Sequence, residues 1–311
     1  MGTGQPRRRS MDRRYFMLLL AAGATASLTG CQRAEPSDRR TPGSLGRSSG
    51  SGPAAGRAAS QAAHSGTVRA AELTPSASPS HPVTPVLRST RPLTPPQPIG
   101  SPRPGRPRVL DELPATTHAV ALTVDDGVSS EVVAAYAQFA ATSGARITFF
   151  PNGIRRSWTE HAALLRPMVE SGQVQLGNHT WSHPRITELS DREIGREITR
   201  NEKFLNNTFG VSGGPFFRPP YGAHNSRTDR VAADLGYPDI TLWYGDLQDY
   251  LVISESQLMD NARRWLTANR IVIGHANHPA ITHVYGQLTD LLRSRNLETV
   301  TLRDAFCRST S

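Results

Sequence analysis

From residue 109 onward, short runs of branched and aromatic residues alternate with longer stretches whose apolar positions recur at helical spacing. Runs at 118–124, 146–150, 173–177, 215–218, 239–243, 270–274 and 298–302 predict strands. Between them, helices are predicted at 130–141, 158–171, 226–235, 256–268 and 281–295. One more follows the Ser190/Glu193 capping box, after which Ile194, Ile198, Leu205 and Phe209 recur on one face. A strand followed each time by a helix predicts an α/β fold, a small distorted parallel (β/α) barrel of about seven strands. The polar motifs fall at predicted strand ends, where such barrels carry their chemistry.

Upstream the pattern disappears. Residues 31–107 are Pro, Ser, Gly, Ala, Thr and Arg with few large apolar side chains, too few to offset chain entropy, and are expected to form a disordered tether to a folded domain at 108–311. Residues 1–30 read as an export signal: Arg7, Arg8, Arg9, Arg13 and Arg14 precede an apolar run from Phe16 to Ala22 that is too short to span a bilayer. Arg13-Arg14-Tyr15-Phe16 resembles a twin-arginine motif, and Leu28-Thr29-Gly30-Cys31 resembles a lipobox, which implies cleavage before Cys31 and a lipid on its thiol. Translation could equally start at Met11.

Charge follows the same division. Residues 1–108 hold 16 Arg against 4 acidic residues, whereas 109–311 hold 19 Lys plus Arg against 22 Asp plus Glu. The net charge of +9 therefore belongs to the N-terminal third, and no nucleic-acid partner is expected for the folded part. Two cysteines, Cys31 and Cys307, exclude a disulfide framework, and Cys307 is read as a packing residue.

Two fragments suggest chemistry. Asp125-Asp126-Gly127 pairs adjacent carboxylates, and His179 and His183 stand four apart. Imidazoles at that spacing can meet one divalent ion if the segment turns helically, with a carboxylate from elsewhere as the third ligand. A turn and two surface histidines is the competing reading of each fragment taken alone.

Three further motifs follow in order: Phe217-Arg218-Pro219-Pro220-Tyr221-Gly222, Asp246-Leu247-Gln248-Asp249-Tyr250, and Ile271-Val272-Ile273-Gly274-His275. With the first two, this series resembles the polysaccharide deacetylases, the NodB-homology domain of carbohydrate esterase family 4, over about residues 115–306. The resemblance implies that Asp126, His179 and His183 hold a divalent ion, with Zn2+ foremost and Co2+ or another divalent ion as alternatives. It implies catalytic work for Asp125 (base), Arg218 (paired with Asp125, keeping it ionised), Tyr221 (main-chain N–H at the oxyanion), His275 (acid) and Asp249 (holding His275). Pro220, Tyr250 and Ile273 would contact substrate. Val124, Tyr250 and Ile273 depart from the common Phe, Trp and Leu, and the last two leave the width of the acetyl pocket open. His224 and His278 are read as loop residues.

The expected protein is thus an exported, membrane-anchored lipoprotein and a monomer. It would deacetylate an N-acetylated polysaccharide of the cell envelope, peptidoglycan first. Rival readings are a chitooligosaccharide deacetylase, an acetyl xylan esterase, and a catalytically inactive surface carbohydrate-binding protein.

Overall fold

The computed structural model describes residues 87, 89, 91–100, 103–115 and 118–307. The expected signal, lipobox, Cys31 and the tether as far as residue 86 lie outside the described residues. No described helix is long and apolar enough to cross a membrane.

Among the described residues, nine strands run in the order β1 (Arg108–Leu110), β2 (Ala119–Asp126), β3 (Ile147–Pro151), β4 (Val174–Leu176), β5 (Phe216–Phe217), β6 (Asp239–Thr241), β7 (Gly245–Asp246), β8 (Arg270–His275) and β9 (Glu298–Thr299). Every ladder is parallel. β4-β3-β2-β8-β7 form one sheet, with β9 also on β2, and β1-β6-β5 form another. A parallel bridge, Asn178↔Phe217, and an antiparallel one, Glu112↔Arg270, connect the two, closing a distorted α/β barrel of otherwise parallel strands. β1 and β7 were not foreseen: β1 falls at the expected linker boundary, and Gly245-Asp246 has no branched side chain to mark it as a strand.

Alternation along the central strand divides two cores. Val120, Leu122 and Val124 of β2 point outward and pack with Phe149, Val272 and the helices Ser130–Ser143 and Ala162–Ser171. Ala119 and Ala121 point inward with Phe150, Phe216 and Ile271. That inward row continues through Thr123 to Asp125, so the barrel interior is apolar below and polar where the strands end.

The helix Asp191–Phe209 begins with the foreseen capping box, Ser190 and Glu193 satisfying each other's backbone N–H. The predicted helix at 158–171 is broken at His161 into Ser157–Glu160 and Ala162–Ser171, and the start of that at 281–295 is a 3-10 turn, Pro279–His283.

The expected boundary at 108 needs correcting. Leu87 is buried and its N–H donates to Ser143 O at 2.7 Å, while Ser212 N donates to Gln97 O at 2.9 Å. Arg146, itself buried and paired with Asp304 at 3.1 Å, donates to the carbonyls of Arg91 and Pro92, and Arg303 Nε donates to Pro95 O at 2.9 Å. Residues 91–100 are thus a strap on the domain. Low apolar content concealed it because most of its anchors are polar, its carbonyls above all, several of them taken by arginines of the folded part.

Candidate active site

Adjacent residues of a strand point to opposite faces, so Asp125 and Asp126 can converge only if the strand breaks between them. It does: Asp126 has φ 73° and Gly127 φ 95°. Trp158 Nε1 holds the Asp126 carbonyl at 2.7 Å, and a Cβ on Gly127 would stand 2.1 Å from that same nitrogen, which explains the glycine. Asp125 remains in register and is the cross-strand partner of His275 on β8.

The histidine segment is anchored where β4 meets β5. Asn178 N donates to Phe216 O and Arg218 N to Asn178 O, at 3.0 and 2.9 Å, and Asn152 Nδ2 holds the His179 carbonyl at 2.7 Å. The segment does not turn helically here. Thr180 and His183 adopt φ of 67° and 63°, and this turn swings both rings to one side. His179 Nε2 lies 3.5 Å and His183 Nε2 3.4 Å from Asp126 Oδ1. Among the described residues this is the one trio of such groups whose ligand atoms lie within 4.8 Å of one another.

The donor set suits a divalent ion. His179 Nδ1 meets the Arg218 carbonyl at 2.7 Å, and because a carbonyl only accepts, that nitrogen carries the proton. Nε2 is left as a lone pair facing Asp126 and, at 3.5 Å, Asp125 Oδ2. Lone pairs gathered in a buried pocket require a cation, whether a metal or a proton. Charges respond accordingly. Burial works to raise the Asp126 pKa but is outweighed by the hydrogen bond and charge of His179 and the charges of His183 and His275, which hold it well below the usual carboxylate range. Burial and the neighbouring His179 push His183 down to about 4, whereas Asp125 and Asp126 overcome burial and raise His179.

Arg218, fully buried, donates to Asp125 Oδ1 at 2.7 Å, Thr123 Oγ1 at 2.8 Å, and the carbonyls of Thr241 and Leu242 at 3.2 Å each. Its guanidinium lies over the Phe150 ring at 4.3 Å. Four acceptors and an aromatic face leave it no alternative pose.

Across the register, His275 Nδ1 meets Asp249 Oδ1 at 3.0 Å. Burial opposes a charged ring there, but the Asp249 hydrogen bond and charge, with Asp125 and Asp126 beyond, raise its pKa to about 9. The Tyr250 ring stands 5.3 Å from His275 and is 45% exposed, whereas Ile273 and Pro220 are buried. Tyr221, at φ 60°, packs its ring against His183 at 4.6 Å. His224 is paired with Asp229 at 2.9 Å, and His278 precedes the 3-10 turn. Cys307 is half-buried against the inner core, and burial raises its thiol pKa.

One residue here escaped sequence reading. Asn277 Nδ2 donates to Asp126 Oδ2 at 2.7 Å. Nothing marks a loop Asn two positions after a histidine, since Asn is common in loops for its own turn chemistry.

Residues 113–240 match the Polysaccharide deacetylase family. The chain is 29% identical over 191 residues to a peptidoglycan-N-acetylglucosamine deacetylase, PgdA, of Listeria monocytogenes, covering 61% of this chain and 39% of that protein, so it spans about two fifths of that relative's length. It is 28% identical over 149 residues to the chitooligosaccharide deacetylase of Azorhizobium caulinodans, covering 47% of this chain and 69% of that one. The fold is shared with a CE4 family pseudoenzyme from Bacillus anthracis, at a TM-score of 0.57, 18% identity, and 64% and 69% of the two chains. The strand-end constellation and the matched sequence agree: residues 113–240 are similar to the polysaccharide deacetylase family.

Proposed function

We propose that this protein hydrolyses acetyl groups from an N-acetylated polysaccharide, with peptidoglycan as the first substrate, through a divalent metal held by Asp126, His179 and His183. The observation that carries the reading is the pairing of Asp125 and His275 across β2 and β8, with the trio beside them.

Amide hydrolysis needs a base for the attacking water, a stabiliser for the oxyanion and an acid for the leaving amine. Asp125 is the base: Arg218 occupies its Oδ1 and Oδ2 remains turned toward the trio. A bound divalent ion would supply Lewis-acid activation of the water and the acetyl carbonyl. His275, charged at neutral pH, gives its proton to the leaving nitrogen while Asp249 holds the ring. Tyr221 contributes its main-chain N–H to the oxyanion, and Tyr250, Ile273 and Pro220 line the side where the acetyl methyl enters.

Similarity to the Listeria enzyme favours peptidoglycan, and similarity to the Azorhizobium enzyme keeps chitooligosaccharides as the second reading. The pseudoenzyme relation is disfavoured because base, acid and trio are all present. Export, with Cys31 lipidated and the enzyme working outside the cytoplasm beside its anchor, completes the proposal. Acetate release from peptidoglycan, chitooligosaccharides and acetylated xylan, before and after chelation, tests the activity. Release that survives full chelation overturns the metal, and acetylated xylan as the best substrate overturns N-deacetylation. Cys31→Ser should move the protein out of the membrane fraction, and unchanged membrane association would refute the anchor.

A further inference from the structure

Asp126 presents Oδ1 to the two histidines, at 3.5 and 3.4 Å, while its Oδ2 is taken by Asn277 Nδ2 at 2.7 Å. The other end of the same carboxamide is also engaged, Oδ1 accepting the Val128 N–H at 3.3 Å. These two bonds fix the orientation of the amide, because the flipped form would set oxygen against carboxylate and NH2 against N–H. They also tie the loop after β8 to the loop after β2.

We propose that Asn277 is a positioning residue for the metal: by occupying Asp126 Oδ2 it makes the carboxylate a one-oxygen ligand aimed between His179 and His183. The inference rests on the metal-centre reading above. Asp126 sits at φ 73°, a conformation a non-glycine residue keeps only when its surroundings hold it. Trp158 secures its carbonyl and Asn277 its side chain. Without Asn277 the carboxylate can rotate about its last bond and offer the ion two oxygens, or turn away. Groups that orient a metal ligand in this way typically contribute about 10–100-fold in metal affinity.

The test uses the full-length protein stripped of metal. Zinc affinity of wild type and Asn277→Ala is measured by chelator competition, alongside the thermal midpoint of each metal-free protein and the visible spectrum of each Co2+-loaded one. The expected result is affinity weaker by about 10–100-fold, a metal-free midpoint close to wild type and a changed ligand-field spectrum. If Asn277→Ala fails to fold, Asn277→Ser, whose shorter side chain still donates, should fold with weakened affinity. Affinity and spectrum matching wild type would overturn the proposal. Wild-type protein that binds neither zinc nor cobalt would instead overturn the metal centre itself, and with it the role of Asn277.

Discussion

His179 is buried and His275 largely so, both face Asp125 and Asp126, and both use Nδ1 to bond a partner behind the ring, yet the partners differ. Behind His179 is a main-chain carbonyl; behind His275 is a carboxylate. The carbonyl fixes a proton on Nδ1 without adding a full charge, so the pull of Asp125 and Asp126 that raises His179 acts at Nε2, the nitrogen turned toward the trio. The carboxylate adds a negative charge that favours a second proton, and His275 is raised to about 9. One ring type thus acquires two roles from the atom it leans on. The two also differ in sequence: His179 lies within the matched residues 113–240, and His275 and Asp249 lie beyond them.

The strongest way to break this contrast is to remove each ring. His179→Ala should lose bound metal and all measurable acetate release, while His275→Ala should keep its metal and slow turnover by about 10²–10⁴, the usual worth of a positioned acid. Metal analysis beside the rate decides it, since equal metal loss in both variants would erase the distinction. The adjacent carboxylates divide in the same way. Asp125→Asn should retain metal and lose about 10²–10⁴ in turnover, whereas Asp126→Asn should lose metal. The opposite pattern of metal content would reverse their roles.

A smaller effect sharpens the His275 side. Its pKa is raised, so the acid form, and any stability gained from the Asp249 pair, is fully present below the unfolded value of 6.5 and is lost as pH rises through about 9. Asp249→Asn removes the first of the groups that raise it and leaves burial opposed only by Asp125 and Asp126. The high-pH limb of the kcat/KM profile should therefore move from about 9 toward neutrality. A limb that stays at 9 would mean that another group donates the proton.

How legible the site was depended on whether a residue acts through its type or through its placement. Asp125, Asp126, His179, His183, Arg218, Asp249 and His275 belong to residue types that chemistry demands, and their order along the chain resembled a known family, so all were named before their positions were known. The manner of their convergence was hidden. A helical turn was one way for histidines four apart to meet, but left-handed turns at Thr180 and His183 perform that task, and such turns at non-glycine residues leave little trace in sequence. Asn277 was unreadable for a related reason, since its function is a single 2.7 Å contact created by closure of distant strands. The fold was legible where strands are long, as in Ala119–Asp126, and illegible where two residues suffice, as in Gly245–Asp246. The strap at 91–100 was missed because composition points to apolar side chains, whereas its bonds are polar and come mostly from backbone.

The smallest expected effect lies one layer behind the acid. Gly274 precedes His275 with no side chain, and a Cβ placed there would stand 3.0 Å from Tyr136 Oη and 3.2 Å from Asp249 Oδ2. Both oxygens are buried and neither has a hydrogen-bond partner among the described residues, and burial lifts the Tyr136 pKa well above its ordinary value, with the Asp249 charge adding to it. The hydroxyl is therefore neutral and able to donate. Gly274→Ala would push methyl carbon into that space and shift Asp249 against His275, so kcat should fall several-fold with KM and metal content little changed. Tyr136→Phe removes the donor without adding bulk and should cost less still. If Gly274→Ala altered KM and left kcat alone, the space behind Asp249 would be serving the barrel's packing, and the carboxylate that distinguishes His275 from His179 would be held from the His275 side alone.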